Sequence, residues 1–263
     1  MTQPGESARA LPSVEDFKPI PIRRDDGVLG RLLFAVRMLG DLQLLTCTRF
    51  LAPCLGRMRG SVLDVGCGEM PFRGLLGPDA RYTGIDVPQA DDFGMRRHAD
   101  IVAFDGHRIP FPDASFDHVL CTEVLEHASD PTGLVGEMRR VLRSGGTLVA
   151  TVPFAARVHH APHDFHRFTR FTRFALAGLF ADFTAVEVVE RGDDLAVIAN
   201  KLIVVCARLA RPKPPMSLLW RWPLLLLLAP FAVLALAIAQ ASLIFGWGSR
   251  MDPLGYGILA RKA

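Results

Sequence analysis

The sequence is short of several features that mark whole classes of protein. Its five cysteines are Cys47, Cys54, Cys67, Cys121 and Cys206, and no two form a C-x-x-C pair. Neither a disulfide framework nor a zinc site is supported, and a reducing compartment is favoured. Charge of one sign is not in excess: 30 basic against 27 acidic residues leave +3. That balance argues against a nucleic-acid partner held by a basic patch. The opening stretch MTQPGESARALPS has neither a basic region nor an apolar one, so it does not read as a secretory signal and export is not indicated. No internal repeat is visible. With half of 263 residues apolar, global disorder, collagen and coiled coil are excluded as well.

What the chain does have is one long apolar run. Mean hydropathy is +0.25, and the excess is concentrated between Trp222 and Ser249, which contain no formal charge. At about 1.5 Å per residue in a helix, that length reaches across a hydrocarbon core of about 30 Å.

The rest of the chain punctuates itself. Residues 1–27 are rich in Pro, Ser and charge and read as a flexible leader. Leu29, Leu32, Leu33, Val36, Leu39 and Leu42 recur at helical spacing, which predicts one or two amphipathic helices within 28–60. Strands are expected at 61–65, 81–86, 99–104, 116–121, 147–153 and 183–190 from short apolar, β-branched runs. A helix is expected over 131–142, with Asp130 as its N-cap, Pro131 in its first turn and Ser144-Gly145-Gly146 as its stop. Another is expected over 193–209. Strands alternating with helices predict an α/β fold with a doubly wound, mostly parallel sheet.

The first strand runs into Val62-Leu63-Asp64-Val65-Gly66-Cys67-Gly68-Glu69. Glycines suit a sharp turn where backbone must approach a ligand closely. The second strand ends about 20 residues later in Asp86, a carboxylate placed to accept from ribose hydroxyls. Pro71 stands where a dinucleotide fingerprint would want a glycine, and Asp64 lies inside the motif, so a nicotinamide cofactor fits less well.

These residues resemble the class I S-adenosylmethionine-dependent methyltransferases, in the type 11 branch. The likeness runs from about Ser61 to Glu190. It includes VLDVGCG (62–68), YTGIDV (82–87), the stretch from Phe104 to His127, and the stretch from Asp130 to Phe154. The resemblance implies a Rossmann-like sheet with an antiparallel last strand and S-adenosyl-L-methionine as cofactor. Gly66, Cys67 and Gly68 would pass under the methionine and ribose part. Asp64 would face the ammonium group, and Asp86 the ribose hydroxyls. Asp105 would accept from the adenine amino group beside Gly106, or else cap a turn. Thr122 and Glu123 would lie near the reacting end, or Glu123 would begin a solvated loop.

A base would help an acceptor hydroxyl lose its proton. The reservoir is His159-His160-Ala161-Pro162-His163-Asp164-Phe165-His166-Arg167, directly after the fifth strand. His163 is the first choice, with His160 and Asp164 beside it; the alternative is that these groups stitch the loop to its neighbours. Glu123, Glu126 and His127 have a spacing that a divalent ion can use, but EVLEH is common in the family without one, and no metal is expected.

Residues 254–262 resemble the family's closing strand, which makes the apolar run an insertion before it. The expected division is therefore a leader (1–27), N-terminal helices (28–60), the cofactor-binding core (61–192), an apolar helical insertion (193–250) and a final strand (251–263). A single membrane crossing would strand that last element on the wrong side, so a single pass is the second reading and goes without the final strand in the sheet. Basic residues flank both ends of the run, so charge does not favour one pass. Pro230 and Gly246 suggest a shallow hairpin entering and leaving one membrane face. The function expected is O-methylation of a lipid, quinone or lipid-linked sugar at the cytoplasmic membrane face, with membrane lipid contacted through residues 218–249. The alternatives are a soluble enzyme for a small-molecule acceptor, forming a homodimer through the insertion, and a cofactor-binding but inactive scaffold.

Overall fold

The computed structural model describes residues 21–22, 24, 27–88, 95–96, 98–156, 169–211 and 215–263, with side chains omitted for 215–218. Two helices come first, α1 (Val28–Gly40) and α2 (Leu42–Leu55). Then follow β1 (Gly60–Val65), β2 (Ala80–Asp86), β3 (Ile101–Ala103), β4 (Phe116–Thr122), α3 (Pro131–Val141) and β5 (Leu142–Pro153). The chain closes with α4 (Arg173–Leu179), β6 (Ala185–Arg191), α5 (Asp194–Leu209), α6 (Pro215–Phe245) and β7 (Gly255–Arg261). The strands form one sheet in the order β3-β2-β1-β4-β5-β7-β6. β7 lies antiparallel between β5 and β6, and the β1–β2, β1–β4, β2–β3 and β4–β5 pairs are parallel. The doubly wound sheet with a reversed last strand is the expected one.

The central strands are apolar on both faces because both faces are covered. Leu63 and Val65 of β1, Val119 and Cys121 of β4, and Leu148, Ala150 and Val152 of β5 join α3 and α4 in one core. The intervening Val62, Leu120 and Val149 pack with Leu44, Leu51 and Leu55 of α2 in another. Asp130 caps α3 by accepting from Gly133 N at 2.9 Å, with Pro131 in the first turn.

Three boundaries differ from the sequence reading. Ser144-Gly145-Gly146 does not stop a helix; α3 already ends at Val141, and the stretch lies inside β5. There the register jumps from Phe116↔Leu142 to His118↔Thr147. Gly145, at φ +76°, donates its N–H to Lys262 O at 3.0 Å, so the glycines form a bulge paired with the chain's end. β3 keeps only three of the six residues expected, as an edge strand bonded on one side. β6 runs from Ala185 to Arg191, which brings an arginine into the sheet's end.

The apolar run also differs. It does not turn back at Pro230: α6 is one helix of 31 residues with Pro223 and Pro230 inside it. A lost N–H bond need not break a helix whose inner stripe is seated elsewhere. Here Ala232 and Ala239 are buried, and Ala235, Leu236, Ala239 and Leu243 pack with Ala196 and Ala199 of α5 and Leu42 of α2. The hairpin is made instead by α5 and α6 together. At its far end Arg221 Nη2 donates to Arg208 O. At its near end Ser242 Oγ donates to Asp193 Oδ2 at 2.6 Å and Asp194 N to Ser249 O at 3.0 Å. Gly246, at φ +70°, follows the helix and lets the chain leave for β7. Since β7 is paired in the sheet, a single crossing without the final strand is excluded.

α1 differs in direction. Its leucine stripe has the expected spacing, but Leu29, Leu32, Leu33, Val36 and Leu39 are 55–68% exposed and only Phe34 is buried.

Candidate functional site

The carboxyl ends of β1, β2, β4, β5 and β6 share one edge of the sheet, where open α/β folds bind ligands. At that edge β1 passes into Gly66, with φ +71°, and Gly68, with φ +50°. A Cβ on Gly66 would stand 2.4 Å from Val124 Cγ2, so only glycine fits there. Gly66 N and Cys67 N both donate to Ile85 O, at 2.8 and 3.1 Å, which binds the turn to β2. Asp86 completes the lock. Its Oδ2 accepts from Gly68 N and its Oδ1 from Val87 N, each at 2.7 Å. Burial raises its carboxyl above the ordinary value, with the two N–H groups working against that. Each oxygen keeps a lone pair, so the lock leaves capacity for a hydroxyl donor.

Asp64 lies below the turn and is 2% exposed. Its Oδ2 accepts from Tyr82 Oη at 2.8 Å, while its Oδ1 is buried without a hydrogen-bond partner. Burial pushes its carboxyl from an ordinary 3.8 up to about 7; the Tyr82 hydrogen bond lowers it and Asp86 adds to the rise. An unfilled acceptor of this kind suits a cationic or N–H donor ligand. It also has a stability consequence. Between about pH 4 and pH 7 the folded protein holds a proton on Asp64 that the unfolded chain has released, so Asp64 lowers stability as pH rises through that window. In thermal melts of the ligand-free protein, Asp64→Asn should gain on wild type steadily from pH 4 to 7 and no further above it. Parallel curves would contradict the buried, proton-holding Asp64.

Asp105 caps its own turn. Its Oδ1 accepts from His107 N and Arg108 N, both at 2.8 Å, and these bonds hold its carboxyl below the usual range. Gly106 follows at φ +82°, 3.7 Å from Val87 Cγ1 at its would-be Cβ, so this turn lies beside the end of β2. A shallow cleft of about 500 Å³ opens next to Asp105, Arg108, Phe111 and Arg140. Arg140 spends its donors on Glu137, Asp113 and the carbonyls of Ile109 and Phe111. Those bonds brace the loop between β3 and β4 against α3.

Thr122 ends β4, and Glu123 follows with φ +55°, a left-handed conformation that a non-glycine residue adopts at a cost. Glu123 is not a solvated loop carboxylate. Its Oε1 accepts from Arg191 Nη2 at 2.6 Å. Arg191 is 3% exposed and also donates to Val152 O at 3.0 Å and Tyr256 O at 3.1 Å. Burial works against its charge, but the surrounding groups, Glu123 first and then Cys47 and Glu126, together raise its pKa above the ordinary value. Glu126 is fully buried, 3.5 Å from His127 Nε2, and both its oxygens lack hydrogen bonds. Burial and the neighbouring Glu123 push its carboxyl well up. The sequence reading missed Arg191 as a site residue. The signal was an arginine closing a strand immediately before Gly192 and the helix cap Asp193.

His160, His163 and Asp164 lie outside the described residues. Their flanks are placed: Phe154 N and Ala155 N donate to Leu254 O, and Thr169 N donates to Glu126 O at 3.0 Å. Among the described residues no three His, Cys, Asp or Glu side chains are grouped to hold a metal. The thiols of Cys47, Cys67 and Cys121 are buried and pushed upward by that burial, so none is a ready nucleophile. What the arrangement provides is a glycine-lined cradle with the carboxylate of Asp86 beside it and that of Asp64 beneath it.

A family model described as "Methyltransferase domain" matches residues 63–150. A "Probable S-adenosylmethionine-dependent methyltransferase" of Mycolicibacterium smegmatis is 36% identical over 104 residues, 38% of this chain and 39% of the relative. A "Ubiquinone biosynthesis O-methyltransferase" of Alkalilimnicola ehrlichii is 33% identical over 38% of this chain and 44% of its own. A "Phosphatidylethanolamine N-methyltransferase" of Cereibacter sphaeroides is 30% identical over 36% of this chain and 52% of its own. The chain thus spans about half the length, or less, of these curated relatives.

Proposed function

We propose that the chain belongs to the type 11 branch of the class I S-adenosylmethionine-dependent methyltransferases, a reading supported by the match of residues 63–150 to the methyltransferase-domain model, and that it methylates an oxygen of a lipid, quinone or lipid-linked sugar at the cytoplasmic face of a membrane. The cofactor supplies a methyl group already activated on a sulfonium. The protein's part is then to orient, to exclude water and to manage the acceptor's proton.

The observation that carries the reading is the cradle formed by Gly66, Gly68, Asp64 and Asp86. The turn's backbone, with no Cβ in the way, takes the methionine and ribose part of the ligand beside Cys67. The unfilled Oδ1 of Asp64 offers a partner to an ammonium group. Asp86, fixed by Gly68 N and Val87 N, accepts ribose hydroxyls on its remaining lone pairs. Asp105 and Gly106 flank the adenine end, and Thr122 and Glu123 the reacting end. His163, with His160 and Asp164, takes the acceptor's proton.

The membrane part rests on where α6 ends. One helix among the described residues is long and apolar enough, by length and composition, to cross a membrane: Leu219–Phe245, with 11% of its most apolar window buried. Ser242 in its last turn is tied to Asp193 and Ser249 just beyond it to Asp194, directly after β6, so the exposed Phe245 and Trp247 stand near the edge that carries the cradle. An acceptor partitioned in lipid would meet the site there.

Asp86→Ala tests the cofactor assignment. Removing the carboxylate should weaken S-adenosylmethionine binding by about 1–3 kcal/mol, since ribose hydroxyls lose a charged acceptor. Isothermal titration of a variant with normal circular dichroism reads it directly. Unchanged affinity would put the ribose elsewhere.

A further inference from the structure

We propose that α1 is a second membrane-contacting element, and that its outward stripe and the open face of α6 form one apolar surface lying in the plane of an anionic bilayer. The proposal rests on the reading of α6 as lipid-facing and adds a partner surface to it.

A helix that packs on a globular core turns its apolar stripe inward. α1 does the reverse. Leu29, Leu32, Leu33, Val36 and Leu39 follow one another at i, i+3, i+4, i+7 and i+10, on one face, and all of them point outward. The two exposed faces are contiguous. Gln240 Nε2 of α6 donates to Leu39 O at 3.0 Å, and Arg49 Nη1 of α2 donates to Leu243 O at 3.4 Å. Exposed leucines on two touching helices exceed what a soluble monomer usually leaves uncovered.

Three observations identify lipid as the cover. First, from Pro223 to Ala239 there is no hydrogen-bonding side chain, whereas a protein interface carries about one hydrogen bond per 100–200 Å². Second, neither helix contains an acidic residue, while the exposed Arg31 lies on α1 and the exposed Arg49 lies beside both helices. Basic margins around an apolar face match anionic headgroups. Third, Trp220, Trp222 and Trp247 are all exposed, with Trp247 stacked on Phe245 at 5.2 Å, and an indole, apolar with one N–H, is at home at the headgroup level where a flat-lying helix sits.

The in-plane orientation follows from the fold. Both ends of the α5–α6 hairpin are tied together, so α6 cannot cross without α5. Lys201 is exposed midway along α5, and a crossing would carry its charge into hydrocarbon. Lying flat, α6 instead keeps one stripe on α5 and presents the opposite one to lipid, with α1 alongside.

Co-sedimentation of the full chain with vesicles of phosphatidylcholine alone, or with 30% phosphatidylglycerol (roughly the charge of an anionic leaflet), tests this. Wild type should partition most strongly into the charged vesicles. The variant Leu29→Glu/Leu32→Glu/Leu33→Glu/Val36→Glu should partition at least tenfold less, with unchanged S-adenosylmethionine affinity. These side chains are exposed, so the fold should survive. If the quadruple variant does not bind cofactor, the milder Leu32→Ser/Val36→Ser should still lose about threefold. Unchanged partitioning of the α1 variants beside a membrane-bound wild type overturns the role of α1 and leaves that of α6 standing. A wild type that stays in the supernatant with both vesicles overturns the membrane reading itself. A lipid-free dimer that the α1 substitutions split would show that a second copy covers the stripe, and would also overturn the proposal.

Discussion

Arg191→Ala should lower the unfolding free energy by about 3 kcal/mol, toward the lower end of the 3–5 typical of breaking a buried pair. The lower end applies because Glu123 keeps 34% of its side-chain exposure and can take up water. The loss has two sources. Glu123 Oε1 loses its 2.6 Å partner, and the carbonyls of Val152 and Tyr256 lose theirs in the interior. For a chain of this size that is a melting-temperature drop of order 10 °C. Arg191→Lys should recover little, because one ammonium cannot reach three acceptors in the fork geometry of a guanidinium. Differential scanning calorimetry of the three proteins decides it. A shift of only a degree or two in the alanine variant would mean that the pair does not hold the end of β6 against β5 and β7.

The largest effect on turnover is expected at His163. If its imidazole removes the acceptor's proton, His163→Ala should slow methyl transfer by about 100-fold or more, with S-adenosylmethionine affinity nearly constant. The loss should shrink at high pH, where solvent takes the proton more readily. A variant with normal turnover and a lowered melting temperature would assign the residue to holding its loop.

Legibility followed how local the determining physics is. The glycine turn, Asp86 and the capped start of α3 are set by neighbours a few residues away, so spacing alone placed them. The buried strands were readable because Val62, Leu63 and Val65, like Val119 to Cys121, put apolar side chains on both faces, as a sheet covered on both sides requires. Arg191 was not readable as a partner of Glu123: the two are 68 residues apart, and strand order alone brings them together. The glycine bulge was mistaken for a helix stop because the residue that satisfies it, Lys262, lies at the far end of the chain. Pro230 was taken for a break because a lone proline is one in water. Seated on α5, the helix continues through it. The direction of the α1 stripe was equally hidden, since periodicity defines a face but not what that face meets.

The most direct test of the central claim is to incubate the purified chain with S-adenosylmethionine carrying a labelled methyl group and a total lipid extract, then to count label in the organic phase. The account predicts label in lipid that depends on the protein and is sharply reduced by Asp86→Ala. Saturable binding of the cofactor with no label in any lipid fraction would contradict the lipid acceptor, and failure to bind S-adenosylmethionine at all would contradict the account at its root.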